Sequence, residues 1–324
     1  MSGLALAGGF AADLLVGDPR RGHPVAGFGR VALAVERRAY APSRMRGVVF
    51  AGALVGGAAL AAELTARAAA ARLRGGRAAV LLLVTWAALG GRSLARAGNG
   101  LAERLERGDI DGARAALPSL CGRDPSALDT SQLARATIES LAENTSDAVV
   151  GALLWGGVGG PAGVVAYRAA NTLDAMVGHR SERYAQFGWA AARLDDAMGW
   201  PAARAGAALT ALCAPLVGGS SRGAWTTLRR DGAAHPSPNA GRMEAAFAGA
   251  LGVRLGGPLA YGGRAEERPA LGAEGRVPTA TDVRRAARLS LAVGAAAALA
   301  CAGALHLRPR IPWSEVHCST GEAR

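Results

Sequence analysis

The segment from Ala148 to Tyr167 carries no charged side chain and has the length, roughly 20 residues, that a helix needs to cross a bilayer. On either side stand polar, acid-bearing blocks: TIESLAENTSD at 137–147, and RAANTLDAMVGHRSERYAQFGWAAARLDD at 168–196. A straight helix through the apolar run would hold the blocks about 30 Å apart by helix rise. They can share one substrate only if the run is broken. Gly159-Gly160-Pro161 supplies a place to break it, because an irregular backbone at membrane depth is tolerated where it lines a protein cavity. A re-entrant or broken helix is therefore expected between the blocks.

Composition supports a membrane setting. Half of the 324 residues are apolar, only 5% are aromatic, and the mean hydropathy is +0.17. Abundant Ala and Gly suit closely approaching transmembrane helices. The expectation is an all-α, polytopic integral membrane bundle of about four to six apolar helices with sizeable polar loops. Residues 1–308 would form one helical membrane domain with polar site segments at 92–147, 168–204 and 220–286, and 309–324 would be a disordered tail. Candidate apolar segments are Leu4–Val16, Gly47–Ala62, the shorter Ala78–Gly91, Ala205–Gly219 and Leu289–Leu307. Asp13 interrupts the first, and no charged region precedes it, so it reads as a retained helix rather than a cleaved signal.

The net charge is +12 and all 37 basic residues are arginine. No lysine can form a Schiff base or cradle a phosphate, so anions must be held by Arg forks or backbone N–H groups. The arginines lie between apolar runs with little aromatic interleaving. That pattern argues against nucleic acid and for anchoring beside an anionic leaflet. Cys121, Cys213, Cys301 and Cys318 show no C-x-x-C spacing, so neither a zinc site nor a disulfide framework is indicated.

The acid-bearing blocks carry the candidate chemistry. Glu139, Glu143 and Asp147 stand at i, i+4 and i+8, on one helix face. Like charges at that spacing repel, and a held cation, Mg²⁺ by its preference for oxygen, would resolve the repulsion; a solvated helix end is the alternative. Asn144 and Ser146 add neutral oxygens. Arg168, Asn171 and Asp174 share a face beside Tyr167 and suit a carboxylate or phosphate, or else they snorkel and cap. Asp195 and Asp196, with Arg193 nearby, form either a second metal anchor or a helix-surface pair. His179 is a candidate base only if it is not simply exposed. Thr130 or Ser131 is expected to cap the helix entering the first block, and 220–286 reads as loop with short helices.

These blocks, together with DLLVGDPR…HPV near the start (Asp13, Asp18, Pro19, His23, Pro24), GRDPSALDT at 122–130 and HPSPNAGRMEAAFAGALGVRLGG at 235–257, resemble the CobD/CbiB family, the adenosylcobinamide-phosphate synthases of cobalamin biosynthesis. The likeness covers most of residues 10–263. It departs from the family at Pro125 (commonly Thr), Ala148 (Gly), Gly151 (Pro), Ala175 (Ser) and Arg168, where Lys is frequent.

The resemblance implies a multi-pass enzyme of the cell (inner) membrane with its active site on the cytoplasmic side. It would be an acid–amine ligase joining the free propionate of adenosylcobyric acid to (R)-1-amino-2-propanol or its O-phosphate, with ATP as co-substrate and Mg²⁺ as cofactor. Other late corrin-pathway enzymes are implied as partners. The catalytic set would be Glu139, Glu143, Asp147, Arg168 and Asp174, with Glu143, Asp147, Asp195 and Asp196 holding metal. Asp18, His23, Asn144, Tyr167, Asn171, Arg193 and Asn239 would bind substrate or phosphate. A membrane scaffold presenting corrin intermediates, or a transporter built on paired acids around a broken helix, are the alternatives from other classes. Arg-rich loops at 18–46, 92–147 and 222–288 place those segments in the cytoplasm. A straight 148–167 span would strand 168–204 on the opposite side.

Overall fold

A computed structural model describes residues 2–18, 22–179, 181–261 and 264–307, the side chains of 258–267 excepted. Thirteen α-helices and one β-hairpin follow in order: α1 Ser2–Val16, α2 Pro24–Ala39, α3 Arg44–Arg72, α4 Gly76–Ala88, α5 Gly91–Glu106, α6 Ile110–Ala116, α7 Thr130–Thr145, α8 Gly151–Leu173, α9 Tyr184–Phe187, α10 Trp189–Cys213, α11 Ser221–Asp231, α12 Ala240–Leu251, β1 Leu255–Tyr261, β2 Arg264–Leu271 and α13 Ala280–Leu307. The chain is an all-α polytopic membrane protein. Four described stretches are long and apolar enough to cross a bilayer: Arg44–Arg72, Gly76–Glu106, Thr130–Gly178 and Ala280–Leu307, with α1 a shorter apolar helix. The span expected at 47–62 extends in both directions, and the run at 78–91, too short by itself, gains its length by leading into α5.

Small residues set the helix spacing, as expected where packing rather than water drives association. Gly9 of α1 lies against Thr85 of α4, and Gly294 of α13 against Phe10. Asp13 is fully buried in α1. Its Oδ2 accepts the Arg92 N–H at 3.2 Å, at the N-terminus of α5, where a carboxylate complements the helix dipole.

The stretch 130–178 is not a straight rod. Gly160 (φ 59°, ψ −143°) breaks it just before Pro161, in a backbone region open essentially to glycine alone, and the chain turns back on itself. Gly151 lies against the Tyr167 ring, Gly156 lies 2.8 Å from Val164 Cγ2 measured from where its Cβ would stand, and Gly163 meets the Trp155 carbonyl. In one unbroken helix Gly151 and Tyr167 would be about 24 Å apart. The expected break is present, and it makes a helical hairpin whose first arm runs from α7 into α8 and whose second runs back from Pro161.

The reversal decides where the polar segments lie. The hairpin tip meets Arg77, at the turn between α3 and α4. The returning arm delivers 168–204 to the opposite end, beside the other polar segments. Arg183 pairs with Glu36 of α2 at 3.0 Å, Asn239 bonds the Asp196 carbonyl at 2.9 Å, and Arg284 pairs with Glu106 at 2.6 Å. The conflict that a straight span would create does not arise.

Local chemistry departs from expectation in two places. Asp129, rather than Thr130 or Ser131, caps α7, in a reciprocal capping box with Gln132. The segment 220–286 is more ordered than its Gly and Pro content suggests, because α11 and α12 pack together and β1 pairs antiparallel with β2, with a bulge between Leu255 and Gly257. The proposed tail at 309–324 lies outside the described residues.

Candidate active site

The buried residues form two cores. One gathers Leu6, Phe10, Leu141, Leu153, Tyr167 and Phe247; the other gathers Phe50, Ala170, Leu173 and Phe187. The returning arm of the hairpin passes from the first to the second, and Arg168, Asn171 and Asp174 lie along that passage. Each arm widens into a π-type turn where an acid emerges, Ser146–Val150 carrying Asp147 and Asp174–Gly178 carrying Asp174. Such turns occur mainly as local bulges that re-aim side chains, often at functional sites.

Folding the arms together brings residues of both blocks face to face. Asp147 lies within electrostatic reach of Glu143, Asp195, Arg168 and Asp174, and Glu143 within reach of Asp174, Glu139 and Arg268. Arg168 Nη1 donates to Asn171 Oδ1 at 2.8 Å, and Asn171 Nδ2 donates to Asp195 Oδ1 at 3.3 Å, so an Arg–Asn–Asp relay joins α8 to α10. Tyr167 is fully buried; its hydroxyl, Arg168 Nε, Ser146 Oγ and Asp18 Oδ1 are buried without a hydrogen-bond partner among the described residues. Buried polar atoms are normally paired, so these unpaired ones make the region a candidate place for a polar ligand. Asp18 joins it from the α1–α2 connection, within reach of Arg168. Asn144 donates to the Ser140 carbonyl at 2.9 Å and, with Ser93, Ser119 and Arg168, supplies the polar side chains of a mixed cavity of about 340 Å³.

Other predicted residues are committed elsewhere. Glu139 does not face the cluster. It pairs with Arg123 at 2.7 Å, both side chains buried, and accepts the Gly256 N–H at 2.8 Å, so its helix face ties α7 to the 117–128 loop and to β1. His23 caps α2, its Nδ1 accepting the Val25 N–H at 3.2 Å. Asn239 is buried and braces α12 to α10 through the Asp196 carbonyl. Asp196 is partly exposed and pairs with the largely exposed Arg193 at 3.7 Å, one turn away: the helix-surface pairing, with Asp196 at the rim and Asp195 turned inward. His179 is exposed and packs edge-on against Tyr184.

Burial pushes Asp195 up to about 7, with Asp174 adding to the rise, so its carboxylate is poised near neutrality and would lose its proton to a bound cation. Burial also raises Asp196, which Arg193 partly offsets. Among the described residues no three His, Cys, Asp or Glu side chains converge into a ready-made metal cage. Mg²⁺ does not require one: it commonly takes one or two carboxylates and completes its shell with water and substrate phosphates. Asp147 and Asp195, within electrostatic reach of each other, are the candidate carboxylates for such a site, with Glu143 also in reach.

Sequence reasoning passed over a second group of buried charges. Glu244 of α12 is buried near Glu139 and Glu143, and burial drives its carboxyl well above the usual range. His235 Nε2 lies 3.9 Å from Glu244 and 3.1 Å from Arg268 Nη1. The available signal was Glu244 itself, a single acid inside the otherwise apolar AAFAGAL helix and its approach.

The model of the CobD/Cbib protein family matches residues 6–290. Among curated proteins, the chain is 53% identical over 287 residues to the cobalamin biosynthesis protein CobD of Mycobacterium tuberculosis, covering 89% of this chain and 90% of that one. It is 45% identical over 304 residues to CobD of Chromobacterium violaceum, covering 91% and 96%, and 42% identical over 271 residues to that of Geobacter metallireducens, covering 80% and 83%. No solved structure matches the chain.

Proposed function

The chain belongs to the CobD/CbiB family of cobalamin biosynthesis, and from that premise we propose that it joins the free propionate of adenosylcobyric acid to (R)-1-amino-2-propanol or its O-phosphate in an ATP-dependent amide synthesis. The observation that carries this reading is the convergence, across the Gly160 hairpin, of Asp147, Asp174 and Asp195 with Arg168 and Asn171. ATP-driven acyl activation needs acids to hold a phosphate-bound Mg²⁺ and a cation to offset charge on the transferring phosphoryl group, and this cluster offers both.

In the proposed sequence, a propionate oxygen attacks the γ-phosphorus of ATP. An O–P bond forms, ADP leaves, and an acyl phosphate results. The amine nitrogen then attacks the acyl carbon; the C–N bond forms, the C–O bond breaks and inorganic phosphate departs. Asp174 or Glu143 accepts the proton released from nitrogen. Arg168, oriented by Asn171, neutralises charge on the phosphoryl oxygens, and buried Tyr167 offers its hydroxyl to the same region. Asp147 and Asp195 would hold Mg²⁺, whose chemistry here is charge neutralisation on the nucleotide. The polar segments cluster at one end of the bundle and are rich in arginine, which supports a cytoplasmic site in the cell membrane.

The test is turnover by protein purified in detergent, with ATP, adenosylcobyric acid and either amine. Amide product with stoichiometric ADP and phosphate is expected. Absence of product with both amines, alongside corrinoid flux in proteoliposomes, would replace this reading with transport; absence of both would leave a scaffold. Labelling of Ser181→Cys from the cytoplasmic face alone is expected, and periplasmic labelling would refute the one-sided site.

A further inference from the structure

The helix α10 is 25 residues long, about 37 Å by helix rise, yet it is not among the four described stretches apolar enough to cross a bilayer. Both its ends lie where such stretches begin. Arg44, the first residue of α3, stands 5.4 Å over the Trp189 ring. At the other end, Arg285 in the second turn of α13 donates to the Val217 and Gly218 carbonyls at 3.0 and 2.9 Å. Both α3 and α13 start at the polar end of the bundle, so α10 runs sideways between two entry points instead of through the bilayer. Trp155 of α8 fastens its middle, donating to the Met198 carbonyl at 2.9 Å.

The two faces of α10 differ. Small residues, among them Gly199, Ala203, Gly206 and Ala207, are buried against the bundle. Outward stand Trp189, Trp200 and, at 73% and 75% exposure, Leu212 and Leu216. Trp225 is exposed likewise on α11, which packs beside α10. Each of these tryptophans carries a guanidinium: Arg44 over Trp189, Arg204 at 4.0 Å over Trp200 and Arg229 at 4.9 Å over Trp225.

We propose that this outer face of α10 and α11 lies in the headgroup layer of the leaflet at the polar end, with anionic phospholipid as its partner. Position and charge both select that occupant. The face is level with the start of two spans, where the surface of the bilayer itself is found. Indole and leucine side chains favour that layer, and guanidinium groups stacked on them still offer N–H edges to lipid phosphate. Asp195 turns inward from the same helix toward Asn171, so the depth at which α10 lies sets the depth of the acid cluster. The inference rests on the membrane assignment and not on the reaction proposed above.

The experiment uses the full-length protein in nanodiscs, with an environment-sensitive fluorescent amino acid placed in turn at Trp200, Leu212 and Leu216. Emission is expected to shift to the blue and to be quenched more by lipid nitroxides near the headgroup than by nitroxides deep in the acyl chain. The same probe at Leu60, exposed midway along α3, should prefer the deep quencher; at Asp111, whose side chain is 93% exposed, it should report water. Water-like emission at the α10 positions, or a preference there for the deep quencher, would overturn the proposal. So would blue emission that no lipid quencher reaches, which would mean that protein, such as a second copy of this chain, covers the face. Arg229→Gln should lower the retention of phosphatidylglycerol over phosphatidylcholine in detergent-extracted protein about fivefold, the scale of one cation at an anionic surface. An unchanged lipid preference would remove the anionic partner.

Discussion

Glu139 and Asp147 lie two turns apart on the first arm of one hairpin, and their surroundings are opposite. Glu139 is saturated: Arg123 at 2.7 Å, Arg135 at 3.9 Å and the Gly256 N–H at 2.8 Å meet its oxygens. Around Asp147 the groups are acids, an arginine held by Asn171, and polar atoms without partners, among them Tyr167 Oη and Ser146 Oγ. A satisfied buried carboxylate holds structure together. A carboxylate set among other acids costs stability and persists where binding repays it. The two acids therefore call for opposite phenotypes.

The largest contrast should come from Asp147→Asn. Turnover should fall about 10³-fold, the scale of losing an electrostatic stabiliser at a reacting centre, while thermal stability holds or rises because a repelling charge is gone. Steady-state kinetics beside a melting curve in detergent separates the effects; retained turnover would remove Asp147 from the site. Glu139→Gln should do the reverse, destabilising by about 3–5 kcal/mol because the buried Arg123 loses its counter-charge. Activity surviving per folded molecule in that variant would confirm its bracing role, and full stability would contradict it.

Gly160→Ala tests whether the two regions depend on the turn that aligns them. A side chain in that backbone conformation costs about 1–3 kcal/mol, and the loss should appear in both stability and turnover. The smallest effect concerns pH. The folded-state value of Asp195, about 7, lies above its ordinary one. Its contribution to stability is therefore complete at acid pH below the unfolded value and is lost as pH rises through about 7. Asp195→Asn should flatten the decline in melting temperature over that window by about 2–4 °C per kcal/mol. Mg²⁺ with a nucleotide should release protons from the wild-type protein, and not from the variant, in the same range.

The comparison also shows how far residue pattern carries. The i, i+4, i+8 spacing put Glu139, Glu143 and Asp147 on one face, correctly for a helix, yet it could not say that Arg123 and the β1 bulge cover one end of that face. Nor could it show that His23 and Asn239, prominent in recognisable motifs, spend their polar atoms on a helix cap and an interhelical brace. Glu244 and Arg268 stayed hidden because an isolated charge has no period; it acquires meaning only from what is packed around it.

Apolar runs of span length, the Ala and Gly content and the arginine-bearing polar segments determined an all-α membrane bundle, since each reflects a local cost of placing a chain in lipid. The Gly-Gly-Pro break was likewise local, and so was legible. Which acids share a site was not. That depended on the direction in which the broken helix returned and on the insertion of α10 beside it, and both follow from packing between segments far apart in the chain. The charged face of α7 was written in the residue spacing; its division into a braced end and an open end belongs to the tertiary structure.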